Sequence, residues 1–155
     1  SEVQPVDEIG FEMFKLTNAG YCCSQIMIKM VLDAEDKENE DLLRVMSTFC
    51  LGAGSEQKTC GVLSGGIAIF GLYAGKGRDT EYSKPGFSEM VDEFTEWFLA
   101  EHGSVECKEI IGACSITDYR TNQSYRLKCG DILQKSYRKV LEILQEHDFE
   151  FGSRE

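Results

Sequence analysis

An uncharged stretch in the middle of the chain, residues 60–75, constrains the fold more than any other feature of the sequence. It lies within the segment 59–77, which is rich in apolar and small residues. A helix of about four turns fits this stretch, whereas a membrane-spanning helix needs roughly 20 apolar residues. The stretch therefore predicts a buried central helix rather than a membrane span.

Small residues in this stretch fall on one face of the predicted helix. They recur at i, i+4, i+7 and i+11, as Ser64, Ala68, Gly71 and Gly75, with Gly61 and Gly65 beside them. Each glycine inside a helix costs about 0.8–1 kcal/mol relative to alanine, so this many indicate that close packing compensates. The stripe predicts the close approach of a second helix or of a bulky group.

The other apolar residues recur at helical spacing and predict further helices on both sides of the central one. We expect these helices at 6–17, from 21–24 onward, and at 40–50, 87–102, 105–112 and 131–147, with a polar, irregular segment at 117–127. No long run alternates with a period of two, so the sequence predicts no strands. The expected fold is all-α, a single compact domain spanning 1–155, with six or seven helices around the glycine-rich central helix.

Each predicted helix has an apolar face that we expect to point into one shared core. In the first helix this face includes Phe11 and Phe14, and in the third it includes Val45. In the helix at 87–102, Phe94 and Leu99 belong to the inward face. These side chains are predicted to be buried.

The charge of the chain argues against two classes of partner. The formal net charge is −11, and an acidic protein is repelled by nucleic acid and by anionic membrane surfaces. With 42% hydrophobic residues and two prolines, the composition is that of a globular protein. The start of the sequence has neither a basic nor an apolar region, so we expect no signal peptide and a cytoplasmic protein.

Seven cysteines are many for a chain of this kind, and four of them lie near predicted helix starts. These four are Cys23, Cys60, Cys107 and Cys129, the last two because Ser104 and Asp131 are candidate N-caps. The helix dipole stabilises a negative charge there by about 0.3–1 kcal/mol, which favours thiolates. Four such thiolates can bind an iron–sulfur cluster or a zinc ion, or form reversible disulfides in pairs.

The spacing of the cysteines leaves their role open. No C-x-x-C motif occurs, so a shared site would have to be assembled from separate helices, and scattered structural cysteines remain the alternative. The remaining cysteines, Cys22, Cys50 and Cys114, are expected to be structural rather than ligands, with a role as resolving or auxiliary thiols also open. Cys22 and Cys23 are adjacent, so one of the two is expected to point away from any site.

The cysteines and their surroundings also resemble a known family. Residues 20–25 with Cys23, residues 59–65 with Cys60, residues 103–112 with Cys107, and finally Cys129 follow the order of the redox-active protein family named for the pattern C–GCAxxG–C–C. The resemblance covers most of the chain, from about residue 21 to residue 144. In the central motif Thr59 stands where the family has glycine and Gly61 where it has alanine, so the match there rests on the cysteine and on small residues.

The resemblance implies a helical, cysteine-based redox or cluster-binding domain of a kind common in anaerobic microbes. The family is similar to the non-haem part of certain multihaem cytochromes, for which an iron–sulfur centre has been proposed. The resemblance therefore implies that Cys23, Cys60, Cys107 and Cys129 converge on an iron–sulfur cluster used for electron transfer. An electron donor or acceptor protein is the expected partner, and the apolar helix faces also suit a homodimer.

Two alternatives remain open at this point. The same four cysteines would serve a metal-free thiol–disulfide oxidoreductase or redox sensor. They would equally serve a structural helical module with a zinc site.

Overall fold

Seven α-helices and one short 3-10 helix form the described part of the chain. In the computed structural model this part comprises residues 6–54, 56–115, 117, 121 and 123–154. The elements are α1 (Val6–Asn18), α2 (Cys23–Ala34), α3 (Glu40–Met46), the 3-10 helix Ser47–Phe49, α4 (Gly61–Ala74), α5 (Phe87–His102), α6 (Cys107–Ile111) and α7 (Gln123–Glu146). No strand occurs among these residues, where the only extended pairing is one antiparallel bridge between Thr59 and Glu106. The predicted all-α fold is confirmed.

The central position of α4 organises the packing. This helix contacts α2 most extensively and also packs on α5 and α7. Its side chains Val62, Leu63, Ile69 and Phe70 are buried, as the missing charges predict. None of the described helices is long and apolar enough to cross a membrane.

Close approach to α4 occurs at glycines, but not along the predicted stripe. A Cβ on Gly65 would lie 2.8 Å from the Cβ of Met27, and one on Gly66 would lie 2.4 Å from the ring of Phe94. A Cβ on Gly71, in contrast, would meet no atom within 4 Å. The predicted close approach is confirmed at Gly61 and Gly65, which lie beside the stripe. The members of the stripe itself, Ser64, Ala68, Gly71 and Gly75, are all partly exposed. Small residues mark a helix as able to approach others closely, but the neighbours decide which face is used.

The last helix begins earlier than predicted. It starts at Gln123 instead of residue 131, so the irregular segment predicted at 117–127 was wrong from residue 123 onward. The residue types there, including Gln, Arg, Leu and Lys, are good helix formers, and no proline interrupts them. Residues 116, 118–120 and 122 of this region lie outside the described part. As a consequence, Cys129 lies inside α7, and Asp131 is not an N-cap.

Several side chains predicted to be buried are exposed. Phe11 is 61% exposed and Phe14 62%, because the core face of α1 is formed by Ile9, Met13 and Leu16. These core residues follow the i, i+4, i+7 spacing of one helix face, which leaves the two phenylalanines on the other sides. The same correction applies to two further residues, Val45 and Leu99.

The helix predicted at 40–50 changes type before it ends. The regular helix ends at Met46, and the 3-10 helix continues it to Phe49. Cys50 is then extended, and Leu51 and Gly52 adopt left-handed conformations with φ of 55° and 79°. This turn leads the chain back to the start of α6, where a Cβ on Gly52 would lie 2.9 Å from the Cβ of Cys107.

At the C-terminal end of α4, a network of hydrogen bonds and one ion pair, which we call the clasp, holds residues 152–154 against the fold. It consists of Tyr73, Glu35 and Arg154 with the backbone of Gly152. The Glu35 side chain is fully buried and pairs with the Arg154 guanidinium at 2.8 Å. The Tyr73 hydroxyl donates to Glu35 at 2.8 Å and accepts from the Gly152 N–H at 3.1 Å.

Candidate functional site

The four cysteines predicted as the site are buried thiols on four different helices or helix starts. Cys23 is the first residue of α2, Cys60 directly precedes α4, Cys107 is the first residue of α6, and Cys129 lies inside α7. Their exposed fractions lie between 5% and 7%. The predicted helix-start position is confirmed for the first three and wrong for Cys129.

Cys23 interacts with the other three thiols. Burial raises the pKa of Cys23 far above its usual range, and the charges of Cys60, Cys129 and Cys107 raise it further. Such charge effects are strongest between neighbouring groups, and a direct contact is shown for Cys23 and the start of α4. A Cβ on Gly61 would lie 2.6 Å from the Cys23 sulfur, so this sulfur rests against the first residue of α4. We call these four cysteines the thiol quartet.

A short antiparallel pairing of two chain segments brings Cys60 and Cys107 to diagonal positions on either side of one bridge. The Cys60 N–H donates to the Val105 carbonyl at 2.8 Å, and the Cys107 N–H donates to the Lys58 carbonyl at 2.7 Å. The bridge between Thr59 and Glu106 lies between these two bonds. The sequence contains no alternating pattern from which this pairing could be predicted, since it involves only a few residues on each side.

The thiol of Cys60 lies at the start of α4, near free backbone N–H groups. Burial raises the pKa of Cys60, and the backbone N–H groups of Val62 and Leu63 lower it in part. The backbone N–H of Leu51 has the same effect on the pKa of Cys23. Such donors stabilise negative charge on sulfur, as helix starts generally do.

Gln57 is a residue of this site that the sequence analysis missed. Its buried side-chain Nε2 lies 3.6 Å from the Cys107 sulfur, 3.8 Å from the Cys114 sulfur and 3.1 Å from the Gly112 carbonyl oxygen. Its Oε1 accepts from the Cys114 N–H at 2.8 Å. Burial raises the pKa of Cys107 to about 11, against the lowering effect of the Gln57 hydrogen bond. A single glutamine in a polar loop gives no sequence signal for such a role.

A disulfide joins Cys22 and Cys50, with 5.7 Å between their Cα atoms and a sequence separation of 28 residues. Both cysteines were predicted to be structural or auxiliary, and no pairing between them was predicted. The sequence did contain one signal. Cys22 cannot readily form a disulfide with its neighbour Cys23, so any disulfide of Cys22 needs a distant partner. Both cysteines of the disulfide are partly exposed, in contrast to the thiol quartet.

The donor chemistry of the thiol quartet fits a soft metal or an iron–sulfur cluster. Thiolates are the ligands of such groups, and buried thiolates without a nearby cation are unfavourable, which is why the pKa values are raised. Among the described residues, no three His, Cys, Asp or Glu side chains already form a group that could hold a metal ion. The quartet therefore has suitable donors that are near one another but are not arranged as a coordination shell. Its role as a ligand set stays a prediction.

Comparison with known proteins assigns the chain to a family. The model of the family described as "Putative redox-active protein (C_GCAxxG_C_C)" matches residues 21–143, a range that contains all seven cysteines. The chain therefore belongs to this family, and the resemblance found in the sequence is confirmed. No curated protein and no solved structure matches the chain.

Proposed function

We propose that this member of the redox-active C_GCAxxG_C_C family transfers electrons by means of an iron–sulfur cluster bound to Cys23, Cys60, Cys107 and Cys129. The observation that carries the proposal is the contact of the Cys23 sulfur with Gly61, the residue that directly follows Cys60 at the start of α4. The charges of Cys60, Cys129 and Cys107 also raise the pKa of Cys23, which supports the same grouping.

The burial and pKa of the quartet favour metal ligation over thiol–disulfide exchange. The nucleophile in exchange is an accessible thiolate, whereas the pKa of Cys107 is raised to about 11, and those of Cys23 and Cys60 are also raised. At neutral pH these thiols are protonated and shielded from a partner. A bound metal centre reverses this, because it displaces the thiol protons and compensates the buried negative charge.

The residues around the quartet have defined roles in this proposal. An iron–sulfur cluster supplies reversible one-electron transfer when it is bound. The backbone N–H groups of Leu51, Val62 and Leu63 donate to the ligand sulfurs, and hydrogen bonds of this kind raise a reduction potential. The Gln57 amide adds a donor to Cys107. The surrounding core excludes water from the sulfurs.

We further infer a protein as the electron partner, with a basic surface where the two meet, because this chain carries a net charge of −11. A cytoplasmic location suits the proposal, because a reducing compartment keeps ligand thiols reduced.

The test is an analysis of iron, acid-labile sulfide and zinc per chain, with a visible spectrum, on protein purified without oxygen. We expect iron and sulfide in the wild-type protein and their loss in Cys60→Ser and Cys107→Ser. Cys114→Ser is the matched control, because Cys114 is a partly exposed thiol beside Cys107 that is not in the quartet. Circular dichroism must show retained helix content in all three variants.

A colourless, iron-free protein that resists cluster reconstitution would contradict the proposal. Zinc in place of iron would also contradict the proposal and would identify the site as a structural zinc centre. Full iron retention in Cys60→Ser would remove Cys60 from the ligand set.

A further inference from the structure

The disulfide between Cys22 and Cys50 lies directly beside the thiol quartet, and we propose that it is a second redox site. In this proposal a protein dithiol reduces the Cys22–Cys50 disulfide reversibly, and the state of the pair controls access to the Cys23 sulfur. The chemistry of the pair does not depend on a bound cluster. Only its consequence for electron transfer rests on the proposed function.

The two sites differ in accessibility. Cys22 and Cys50 are both partly exposed, whereas the four thiols of the quartet are buried. Exchange requires that a partner's thiolate reach one of the two sulfur atoms. Of the cysteines that the structure describes at the start of α2, Cys22 is on the exposed side and Cys23 on the buried side. Adjacent cysteines therefore serve two separate sites.

The Ser24 hydroxyl lies where it can form a hydrogen bond with the reduced pair. The buried Ser24 hydroxyl oxygen lies 3.4 Å from the Cys22 sulfur and 3.9 Å from the Cys50 sulfur. The Ser24 hydroxyl donates its own proton to the Met46 carbonyl at 2.7 Å. Its oxygen is thus placed to accept the proton of either thiol once the disulfide is opened, so that the reduced pair has a hydrogen-bond acceptor within the fold.

Residues on both sides of Cys50 lie close to the quartet. A Cβ on Gly61, between Cys60 and the body of α4, would lie 2.7 Å from the carbonyl oxygen of Phe49 and 2.6 Å from the Cys23 sulfur. The backbone N–H of Leu51 lowers the pKa of Cys23. Leu51 also has a φ of 55°, a left-handed conformation that residues with a side chain rarely adopt. The disulfide anchors this turn to the start of α2. When it opens, the turn is free to relax, and the cover over Cys23 loosens.

The exchange proceeds in two steps through a mixed disulfide. A thiolate of the partner dithiol attacks Cys50, the S–S bond breaks, and Cys22 leaves as a thiolate that takes up a proton. Cys22 is the better leaving group because it is the N-cap of α2, where free N–H groups stabilise a thiolate. The second partner thiol then attacks the mixed disulfide and releases Cys50 as a thiol. The pair gains two electrons and two protons, and the partner becomes a disulfide.

The test uses the metal-free full chain in mixtures of oxidised and reduced dithiothreitol. Thiols are trapped by alkylation and assigned by mass spectrometry, and the rate of Cys23 alkylation is measured separately. We expect the Cys22–Cys50 pair to convert reversibly between disulfide and dithiol. Cys23 should be alkylated about tenfold faster or more when the pair is reduced, since local opening governs the reactivity of buried groups. In the Cys50→Ser variant, which cannot form the disulfide, the alkylation of Cys23 should be fast with or without reductant. Cys114→Ser is the control and should keep the wild-type response.

Three results would overturn the proposal. One is a disulfide that dithiothreitol cannot reduce while circular dichroism shows a folded chain. Another is loss of the helical fold on reduction, which would make the bond purely structural. The third is equal Cys23 reactivity in both states. Because no cluster is present in this experiment, its failure is distinct from a failure of the iron–sulfur proposal.

Discussion

The two ends of α4 both bury ionisable groups, but they treat them in opposite ways. At the clasp, the carboxylate of Glu35 is fully buried and paired with Arg154 at 2.8 Å. At the other end, the Cys23 thiol is buried, and negative charge on Cys60, Cys129 or Cys107 raises its pKa further. The clasp is electrostatically complete, whereas a thiolate in the quartet would need a bound cation to compensate its charge. We infer that the clasp serves stability and the quartet serves function.

The largest loss of stability is expected when Glu35, the acidic member of the clasp, is replaced. Glu35→Ala leaves the Arg154 charge without its buried partner and takes the acceptor from Tyr73. We expect a loss of about 3–5 kcal/mol in the free energy of unfolding, measured by urea titration. Glu38→Ala, at an exposed position, should change it by less than about 0.5 kcal/mol. A loss below about 1 kcal/mol for Glu35→Ala would contradict the role of the clasp.

The second prediction compares two glycines of α4. Gly65→Ala places a Cβ 2.8 Å from Met27 and 3.0 Å from the Ser24 carbonyl oxygen, so we expect a loss of about 1–3 kcal/mol. Gly71→Ala meets no atom within 4 Å and should instead gain up to about 1 kcal/mol from helix propensity. Thermal unfolding of both variants checks the signs. Equal effects would mean that close packing on α2 is not the reason for Gly65.

The third prediction concerns the pH dependence of stability, which we expect to arise from the thiol quartet rather than from the clasp. The pKa of Cys107 is raised from 9.0 to about 11 in the folded chain, so the folded state holds this proton more tightly than the unfolded state. The resulting stability is fully present below pH 9 and is lost as the pH rises through about 11. We expect the metal-free protein to lose about 1–3 kcal/mol over this range beyond the loss seen in Cys107→Ser. Identical pH profiles for the two proteins would show that Cys107 is not in this environment.

The fourth prediction has the smallest effect and concerns the edge of the quartet. Gln57→Ala removes the amide that joins Cys107, Cys114 and the Gly112 carbonyl. We expect a loss of about 1–2 kcal/mol in stability and faster alkylation of Cys114. The control Glu56→Ala changes an exposed neighbour and should alter neither property. Unchanged Cys114 reactivity in the Gln57 variant would mean that the amide does not position this loop.

The sequence predicted the parts of the fold in which local pattern and burial agree. Helix α5 has the predicted bounds, 87–102, because its apolar residues follow a clear helical period. The buried α4 follows from the absence of charge. The start of α7 was missed, since a polar helix has no apolar period to reveal it. Phe11 and Phe14 were misplaced because a helix with apolar residues on several sides does not specify which side faces the core.

The candidate site was predictable only in its residue types and not in its connections. Cysteines at helix starts and their order along the chain pointed to Cys23, Cys60 and Cys107. The contacts that join them are tertiary: the bridge between Thr59 and Glu106, the Gln57 amide and the Cys22–Cys50 disulfide. Such contacts depend on how distant segments meet, and no local spacing encodes them.

The most direct test of the thiol quartet as a cluster site is electron paramagnetic resonance at low temperature on protein purified without oxygen. An iron–sulfur cluster on Cys23, Cys60, Cys107 and Cys129 predicts a signal that appears on reduction with dithionite, approaches one spin per chain and is absent in Cys60→Ser. A wild-type protein that binds no iron after reconstitution and shows no signal on reduction would contradict this account.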